Sequence, residues 1–123
     1  MTYYRTTLTI PVTVIELPDF ARDAERIWSE DERTDFTDYI ARCPEAGAVV
    51  RGTGGVRKVR WAAKGKGKRG GARVIYFYYT PESPLYLVAA YAKGEREDIT
   101  EADRKRYAAM AVEMKSMFRR PVR

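Results

Sequence analysis

Two basic residues, Lys58 and Arg60, have the spacing of neighbours on one face of a β-strand. Lys58 and Arg60 are two residues apart in VRKVRWA, so strand alternation places them on one face and Val59 and Trp61 on the other. Arg73 opens the next predicted strand. Two cations on one face of a strand repel each other unless an anion lies between them. The spacing therefore indicates a site for phosphate.

RNA carries its own nucleophile for strand cleavage, because its 2′-OH can attack the adjacent phosphorus once a base removes the proton. The reaction also needs neutralisation of the phosphorane charge and a proton for the leaving 5′ oxygen, but no metal and no cofactor. Neighbouring cations favour the neutral form of a lysine, so Lys58 beside Arg60 and Arg73 is the predicted base. Arginine stays protonated, and we expect both guanidinium groups to stabilise the developing charge.

The residues that the chain lacks narrow this chemistry further. There is no His, Asn or Gln in the sequence, and Cys43 is the single cysteine. One thiolate is far short of a zinc ligand set, so a transition-metal site of the usual His and Cys type is close to excluded. An enzyme of this composition must work with Lys, Arg, Tyr or carboxylates. Cys43 is predicted to be a small apolar core residue.

The positive charge of the chain is confined to one segment. Between Ala46 and Pro81 there are nine Lys or Arg and no acid, whereas the rest of the chain has fourteen basic and seventeen acidic residues. The formal charge of +6 therefore arises within this window, as expected for a surface that meets nucleic acid. Up to Glu45 the chain has ten acids and five bases, which fits solvated helix faces or, alternatively, an acidic partner surface.

A glycine-rich loop over residues 63–72 carries four of these cations. It contains the pattern G-x-G-x-x-G, but a dinucleotide site requires a helix next, and a strand is predicted next; the Gly-Lys-Ser/Thr of a P-loop is also absent. Free backbone N–H groups and cations make the loop a predicted phosphate contact, although a basic turn that only keeps the protein soluble would look the same. The cations are Lys64, Lys66, Lys68 and Arg69.

The aromatic residues near this window offer two roles, stacking on unpaired bases or packing in the core. Alternation puts Phe77 and Tyr79 on the face of Arg73 and places Tyr76 and Tyr78 opposite. Most of these rings must be core, and we expect one or two at most to contact RNA. Tyr91 is the aromatic residue that we predict to contact RNA.

Predicted elements flank the basic hairpin on both sides. Apolar residues alternate from Thr7 to Val14, which predicts a strand; Pro11 restricts it to a sheet edge or to a start near Val12. Two helices should follow, a first one with Phe20, Ala24, Ile27 and Trp28 on one face, and a second one with a Ser29/Glu32 capping box and Phe36, Ile40 and Cys43 on one face. The predicted hairpin strands are Val56–Ala62 and Arg73–Tyr79, and the third is Leu85–Lys93. A last helix begins at Thr100, with an apolar stripe of Tyr107, Ala111, Met114 and Phe118 or Met117.

The length of 123 residues fits one domain, 1–123, with one core. Residues 1–11 are predicted to be an N-terminal extension or edge strand, and residues 119–123, which hold three arginines, should fray into solvent or touch a polyanion. No segment has the apolar length of a membrane span, and MTYYRTT lacks an apolar signal core, so a cytoplasmic protein is expected.

The string GTGGVRKVRWAAKGKGKRGGARVIYFYY, followed by LYLVAAYAKGEREDIT and a terminal helix, resembles the HigB-type branch of the RelE family, toxins of type II toxin-antitoxin pairs. The resemblance runs from about Val12 to Met114. It implies an α+β fold, in which a small antiparallel sheet of three to four strands follows a helical hairpin and precedes a C-terminal helix. It also implies an endoribonuclease that depends on the ribosome, cuts mRNA in the 30S A site and inhibits translation.

Site residues follow from the resemblance position by position. The paired basic residues of the family match Lys58 and Arg60, its next-strand arginine matches Arg73, and its basic residue at the exit of the last strand matches Lys93 less closely. The family also uses an arginine and a tyrosine beyond that strand; no tyrosine precedes Tyr107 there, so no general acid is assigned. The predicted RNA contacts are Arg57, Lys64, Lys66, Lys68, Arg69, Tyr91 and Arg96. The implied partners are the ribosome with its mRNA and a cognate, HigA-like antitoxin, with no membrane.

Two other function classes fit the same basic hairpin. A small RNA-binding or ribosome-associated module would use it without turnover. A DNA-binding regulator fits less well, because the cations lie on predicted strands and a loop and no basic recognition helix is present.

Overall fold

A computed structural model describes residues 10–62, 71–95 and 99–118. Within these ranges the chain forms three helices and a five-stranded sheet. In chain order the elements are β1 (Val14–Glu16), α1 (Pro18–Ile27), α2 (Glu30–Arg42), β2 (Ala48–Val49), β3 (Val56–Trp61), β4 (Ala72–Phe77), β5 (Leu85–Ala92) and α3 (Glu101–Phe118).

The sheet has the strand order β1-β5-β4-β3-β2. The predicted α+β class is confirmed, with more strands than the three to four expected. All neighbours are antiparallel except β1 and β5, which are parallel because the whole β2–β4 segment and two helices separate them in the chain. The extra strand is β2, whose two residues lie among glycines and are too short for a periodic signal.

The first strand is at a sheet edge, as Pro11 predicts, but it is shorter than the alternating pattern. It begins at Val14, and residues 7–9 of the predicted strand lie outside the described ranges. Pro11 has no N–H to donate. The N–H of Val12 donates to the carbonyl of Ala41 at the end of α2 (3.1 Å), and so it serves a helix terminus instead of a strand ladder.

The two predicted helices before the sheet are confirmed. Pro18 occupies the first turn of α1, where a missing N–H costs nothing. Ser29 and Glu32 form the predicted capping box at the start of α2, with N–H to side-chain oxygen distances of 3.2 and 2.9 Å. Helix α2 ends at Arg42, and Cys43 behind it is buried, as expected.

Two hydrophobic clusters cover the two faces of the sheet. The cluster on the α1 and α2 side includes Phe20, Phe36, Val74 and Tyr76. The cluster on the α3 side includes residues of β3–β5 and three residues of the helix, Tyr107, Ala111 and Met114. This second cluster leaves out the last turn of α3, since Met117 and Phe118 are 51% and 38% exposed. The predicted stripe therefore ends at Met114.

The central strands end where their partners end. β4 stops at Phe77, two residues earlier than predicted, because Phe77 pairs with Val56, the first residue of β3. β3 ends at Trp61, and β5 ends at Ala92, each one residue earlier than predicted.

Candidate functional site

Strand β3 divides its side chains between the two faces of the sheet. Lys58 and Arg60 lie on the face that carries α3, whereas Val59 and Trp61 pack on the α1 and α2 cluster. Trp61 stacks on Tyr39 of α2, with ring centroids 4.7 Å apart. The packed side of the strand thus fixes the direction in which its two cations point.

Arg73 lies directly opposite Arg60 on the neighbouring strand, and Tyr91 lies directly opposite Arg73 on the next one. Opposed residues of antiparallel strands share a face and have Cβ atoms about 5 Å apart. One rung of the sheet therefore runs Arg60, Arg73, Tyr91. The next rung on the same face holds Lys58, which is two residues from Arg60 along β3 and opposite Ile75.

The exposure of these four residues changes along the face. Arg60 is exposed, Lys58 and Arg73 are half-buried, and Tyr91 is only 4% exposed. A ring this buried packs against Tyr107 and Ala89 in the α3 cluster and offers little surface for a base to stack on. The cations, in contrast, form an accessible row beside the packed aromatic residues.

Lys93 follows the last residue of β5, and its N–H donates to the carbonyl of Gly71 (2.9 Å). Because it is two residues beyond Tyr91, it continues on the same face, at the end of the sheet where β4 begins. Its side chain is exposed. The structure thus brings four predicted catalytic residues to one face: Lys58, Arg60, Arg73 and Lys93.

Arg57 lies apart from this group. It is opposite Tyr76, on the face that carries α1 and α2. Its guanidinium donates to the carbonyl of Gly47 (2.6 Å) and to that of Glu45 (3.3 Å). Arg57 therefore holds the segment before β2 against β3. The remaining predicted RNA contacts, Lys64, Lys66, Lys68, Arg69 and Arg96, lie outside the described residues.

A buried tyrosine fixes the same segment from the next strand. The Tyr76 hydroxyl donates to the carbonyl of Pro44 and accepts the N–H of Gly47, both at 2.8 Å. Burial raises the pKa of Tyr76 to about 12, against the smaller lowering effect of the Gly47 N–H. A Cβ at Gly47 would lie 2.8 Å from the carbonyl oxygen of Lys58, so only glycine permits this approach. The sequence shows Tyr76, but it does not show that Gly47 lies this close to Lys58 of β3.

The GTGG motif forms the turn that starts β3. The Thr53 hydroxyl donates to the carbonyl of Val50 (2.6 Å) and accepts the N–H of Val56 (3.1 Å). Gly54 has a φ of +74°, a conformation that L residues rarely adopt. The motif therefore sets where β3 begins and how it folds back on β2, with the N–H of Val50 donating to the carbonyl of Val56 (2.7 Å).

The described cations can perform electrostatic chemistry on a phosphate. Guanidinium groups from two adjacent strands can contact the oxygens of one phosphodiester, and an amine from the next rung can exchange a proton with a hydroxyl.

Sequence reasoning missed residues of another group, Asp23, Arg26 and Glu95, which contact the β5 end of this rung. The contact that joins the group has no local spacing signal, because Arg26 and Glu95 are 69 positions apart.

A family model described as the RelE toxin of the RelE / RelB toxin-antitoxin system matches residues 31–122. The match spans α2, the strands β2–β5 and α3, and it leaves β1 and α1 before it. Among the described residues, no helix has the length and apolar character needed to cross a membrane. The chain belongs to the RelE toxin family, whose members act on ribosomes, pair with an antitoxin and are generally endoribonucleases that inhibit translation.

Proposed function

We propose that this chain cleaves mRNA in the A site of the ribosome, that its cleavage requires the ribosome, and that a cognate HigA-like antitoxin neutralises it. The observation that carries the proposal is the rung in which Arg60 and Arg73 are directly opposed, with Lys58 two residues from Arg60 on the same face. Family membership supports a translation-inhibiting endoribonuclease of a toxin-antitoxin pair. The A site, the ribosome dependence and the residue roles are part of the proposal.

The chemistry proposed is attack of the 2′-OH on the adjacent phosphorus, which needs neither metal nor cofactor. The new bond joins the 2′ oxygen to phosphorus, and the bond from phosphorus to the 5′ oxygen breaks, giving a cyclic phosphate. The leaving 5′ oxygen takes a proton from solvent water and becomes a free 5′-OH. Lys58 is the proposed base, because an amine can accept a proton and a guanidinium cannot. Arg60 and Arg73 hold the charge that develops on the phosphorane oxygens.

Lys93 and the loop cations have supporting roles in the proposal. Lys93 lies at the β5 exit on the same face and adds positive charge there. The cations of the loop between β3 and β4, Lys64, Lys66, Lys68 and Arg69, are proposed to contact the RNA backbone.

The test is cleavage of mRNA bound in a programmed 70S complex by the purified chain, followed under single-turnover conditions. We expect cleavage in the A-site codon, products with a cyclic phosphate, and no cleavage of the same mRNA without ribosomes. Ribosome binding without any cleavage would instead support the binding module. Cleavage of free mRNA at the same rate would contradict the ribosome dependence.

A further inference from the structure

The edge of β5 that faces β1 forms two kinds of hydrogen bond along its length. β1 pairs only with residues Leu85–Leu87 of this eight-residue strand. Beyond that point the N–H of Ala90 donates to Asp23 Oδ2 of α1 (3.1 Å), and the N–H of Ala92 donates to Glu95 Oε1 (2.9 Å). Two carboxylates thus accept the backbone N–H groups that would otherwise bond to a neighbouring strand.

One guanidinium joins these two carboxylates. Arg26 contacts Asp23 Oδ1 through Nη2 (3.2 Å) and Glu95 Oε2 through Nη1. Each carboxylate therefore uses one oxygen for the backbone of β5 and the other for Arg26. Asp23 and Arg26 are three residues apart on α1, so they project on the same side of the helix. We call Asp23, Arg26 and Glu95 the edge clamp.

The edge clamp encloses the part of β5 that reaches the candidate site. Tyr91, which is opposite Arg73, lies between the two bonded N–H groups, and Lys93 lies between Ala92 and Glu95. The turn closes with the N–H of Glu95 on the carbonyl of Ala92 (3.0 Å). Gly94 in that turn has a φ of +102°. The direction of the Lys93 side chain therefore depends on a turn that α1 holds in place.

We propose that Arg26 is a positioning residue for RNA cleavage, acting through Asp23 and Glu95 on the segment from Tyr91 to Lys93. This inference rests on the proposed function. The side chain of Arg26 is 49% exposed and that of Glu95 is 39% exposed. Water therefore screens this ion pair, and its contribution to folding stability is small. The effect of Arg26 on the reaction should therefore exceed its effect on folding. Helix α1 precedes residues 31–122, so this role belongs to a part of the chain that the family model does not cover.

A matched control lies one turn earlier on the same helix. Arg22 also makes an ion pair three residues back, with Asp19 at 2.8 Å, and this pair stays within α1. Arg22→Ala thus removes a similar surface ion pair without touching β5. Glu95→Gln provides a second perturbation, because the amide oxygen can still accept the N–H of Ala92 while the charge that meets Arg26 is gone.

The experiment measures single-turnover cleavage in the programmed 70S complex with the full chain. We expect Arg26→Ala to lower the rate about tenfold or more, since small displacements of a reacting group cost that much. Ribosome affinity and melting temperature should stay equal to those of Arg22→Ala, which should cleave at the wild-type rate. Glu95→Gln should slow cleavage, and Arg26→Lys should recover part of the rate.

A double substitution tests whether Arg26 acts through the β5 exit. In a Lys93→Ala background, adding Arg26→Ala should cause a much smaller further loss than it does in the wild-type chain. Equal rates for Arg26→Ala and Arg22→Ala, or two losses that simply multiply, would overturn the positioning role. If the wild-type chain itself cleaves no ribosome-bound mRNA, the proposed function fails, and that result is distinct from both outcomes.

Discussion

Arg60 and Arg73 lie directly opposite each other on β3 and β4. Like charges in opposed positions destabilise an antiparallel sheet. The fold nevertheless places them next to Lys58 on the face that carries α3, where Arg60 is exposed and Arg73 is half-buried. Such a pair is advantageous when a polyanion binds between the side chains, and it therefore predicts that substitution of either arginine weakens function.

Arg73→Ala should lower the rate of mRNA cleavage in the programmed 70S complex by about a hundredfold or more, because a preorganised charge at the phosphorane is lost. It should keep the circular dichroism and the cooperative melting of the wild type, because the buried core of its strand is formed by Val74–Phe77. Arg73→Lys should also cleave slowly, because it loses the bidentate fork. Arg42→Ala, an exposed ion-pair change on α2, is the control and should alter neither quantity. Wild-type cleavage by Arg73→Ala would contradict the assignment.

Ribosome binding should weaken with salt, because phosphate contacts release counterions. We expect the affinity to fall at least about tenfold between low and moderately high salt. Single alanine substitutions of the loop cations Lys64, Lys66, Lys68 and Arg69 should weaken binding modestly, since neighbours can replace one another. A flat salt dependence, measured by co-sedimentation, would count against the basic window as the contact surface.

The cognate antitoxin should cover the face that holds Lys58, Arg60 and Arg73. We expect co-expression with the protein encoded beside this gene to restore growth, and the two proteins to co-purify. In the purified complex the three side chains should be protected from chemical modification, whereas Arg42 on α2 should stay reactive. Growth inhibition that no neighbouring gene product relieves would remove the main support for the partner.

Tyr76 makes stability depend on pH in the alkaline range. Its pKa is raised to about 12 in the folded chain, from an ordinary value of 10.0. The stabilisation is therefore complete below pH 10 and is lost as the pH rises toward 12, by up to about 2 to 3 kcal/mol. Denaturant unfolding of the wild type and of Tyr76→Phe should show this extra loss only in the wild type. Tyr76→Phe should also be about 1 to 3 kcal/mol less stable at pH 7, because the N–H of Gly47 loses its buried acceptor.

Local patterns in the sequence predicted most of the elements of the fold. The capping box of Ser29, the alternation around Lys58 and the Thr100 cap before α3 all depend on neighbours within four residues. The parallel pairing of β1 with β5 depends on contacts about seventy residues apart, and no short window contains that information. The same is true of β2, which pairs because Tyr76 and Arg57 hold the preceding segment in place.

Strand alternation made it possible to predict which face of the sheet each site residue lies on. The alignment of residues across neighbouring strands could not be predicted in this way. The sequence placed Lys58 and Arg60 on one face, and the structure agrees. It could not show that Arg60 and Arg73 are directly opposed, since that alignment depends on the register between β3 and β4 and on the packing of both strands. It also grouped Arg57 with the RNA contacts, although β-strand alternation turns that side chain toward α2.

The parallel pairing of β1 with β5 has a consequence for the order in which the protein forms during synthesis. β1 leaves the ribosome first, but its partner Leu85–Leu87 is made about seventy residues later. β1 therefore cannot join the sheet until β5 has been synthesised. The hairpins of β3, β4 and β5 close over much shorter distances and pay less loop entropy. Pulse-labelled hydrogen exchange during refolding should therefore protect amides of β4 before that of Leu17, which donates to Leu87. The strands that carry Lys58, Arg60 and Arg73 would then be paired before β1 joins the sheet, so a chain that is still being synthesised would already display the surface that we expect the antitoxin to cover.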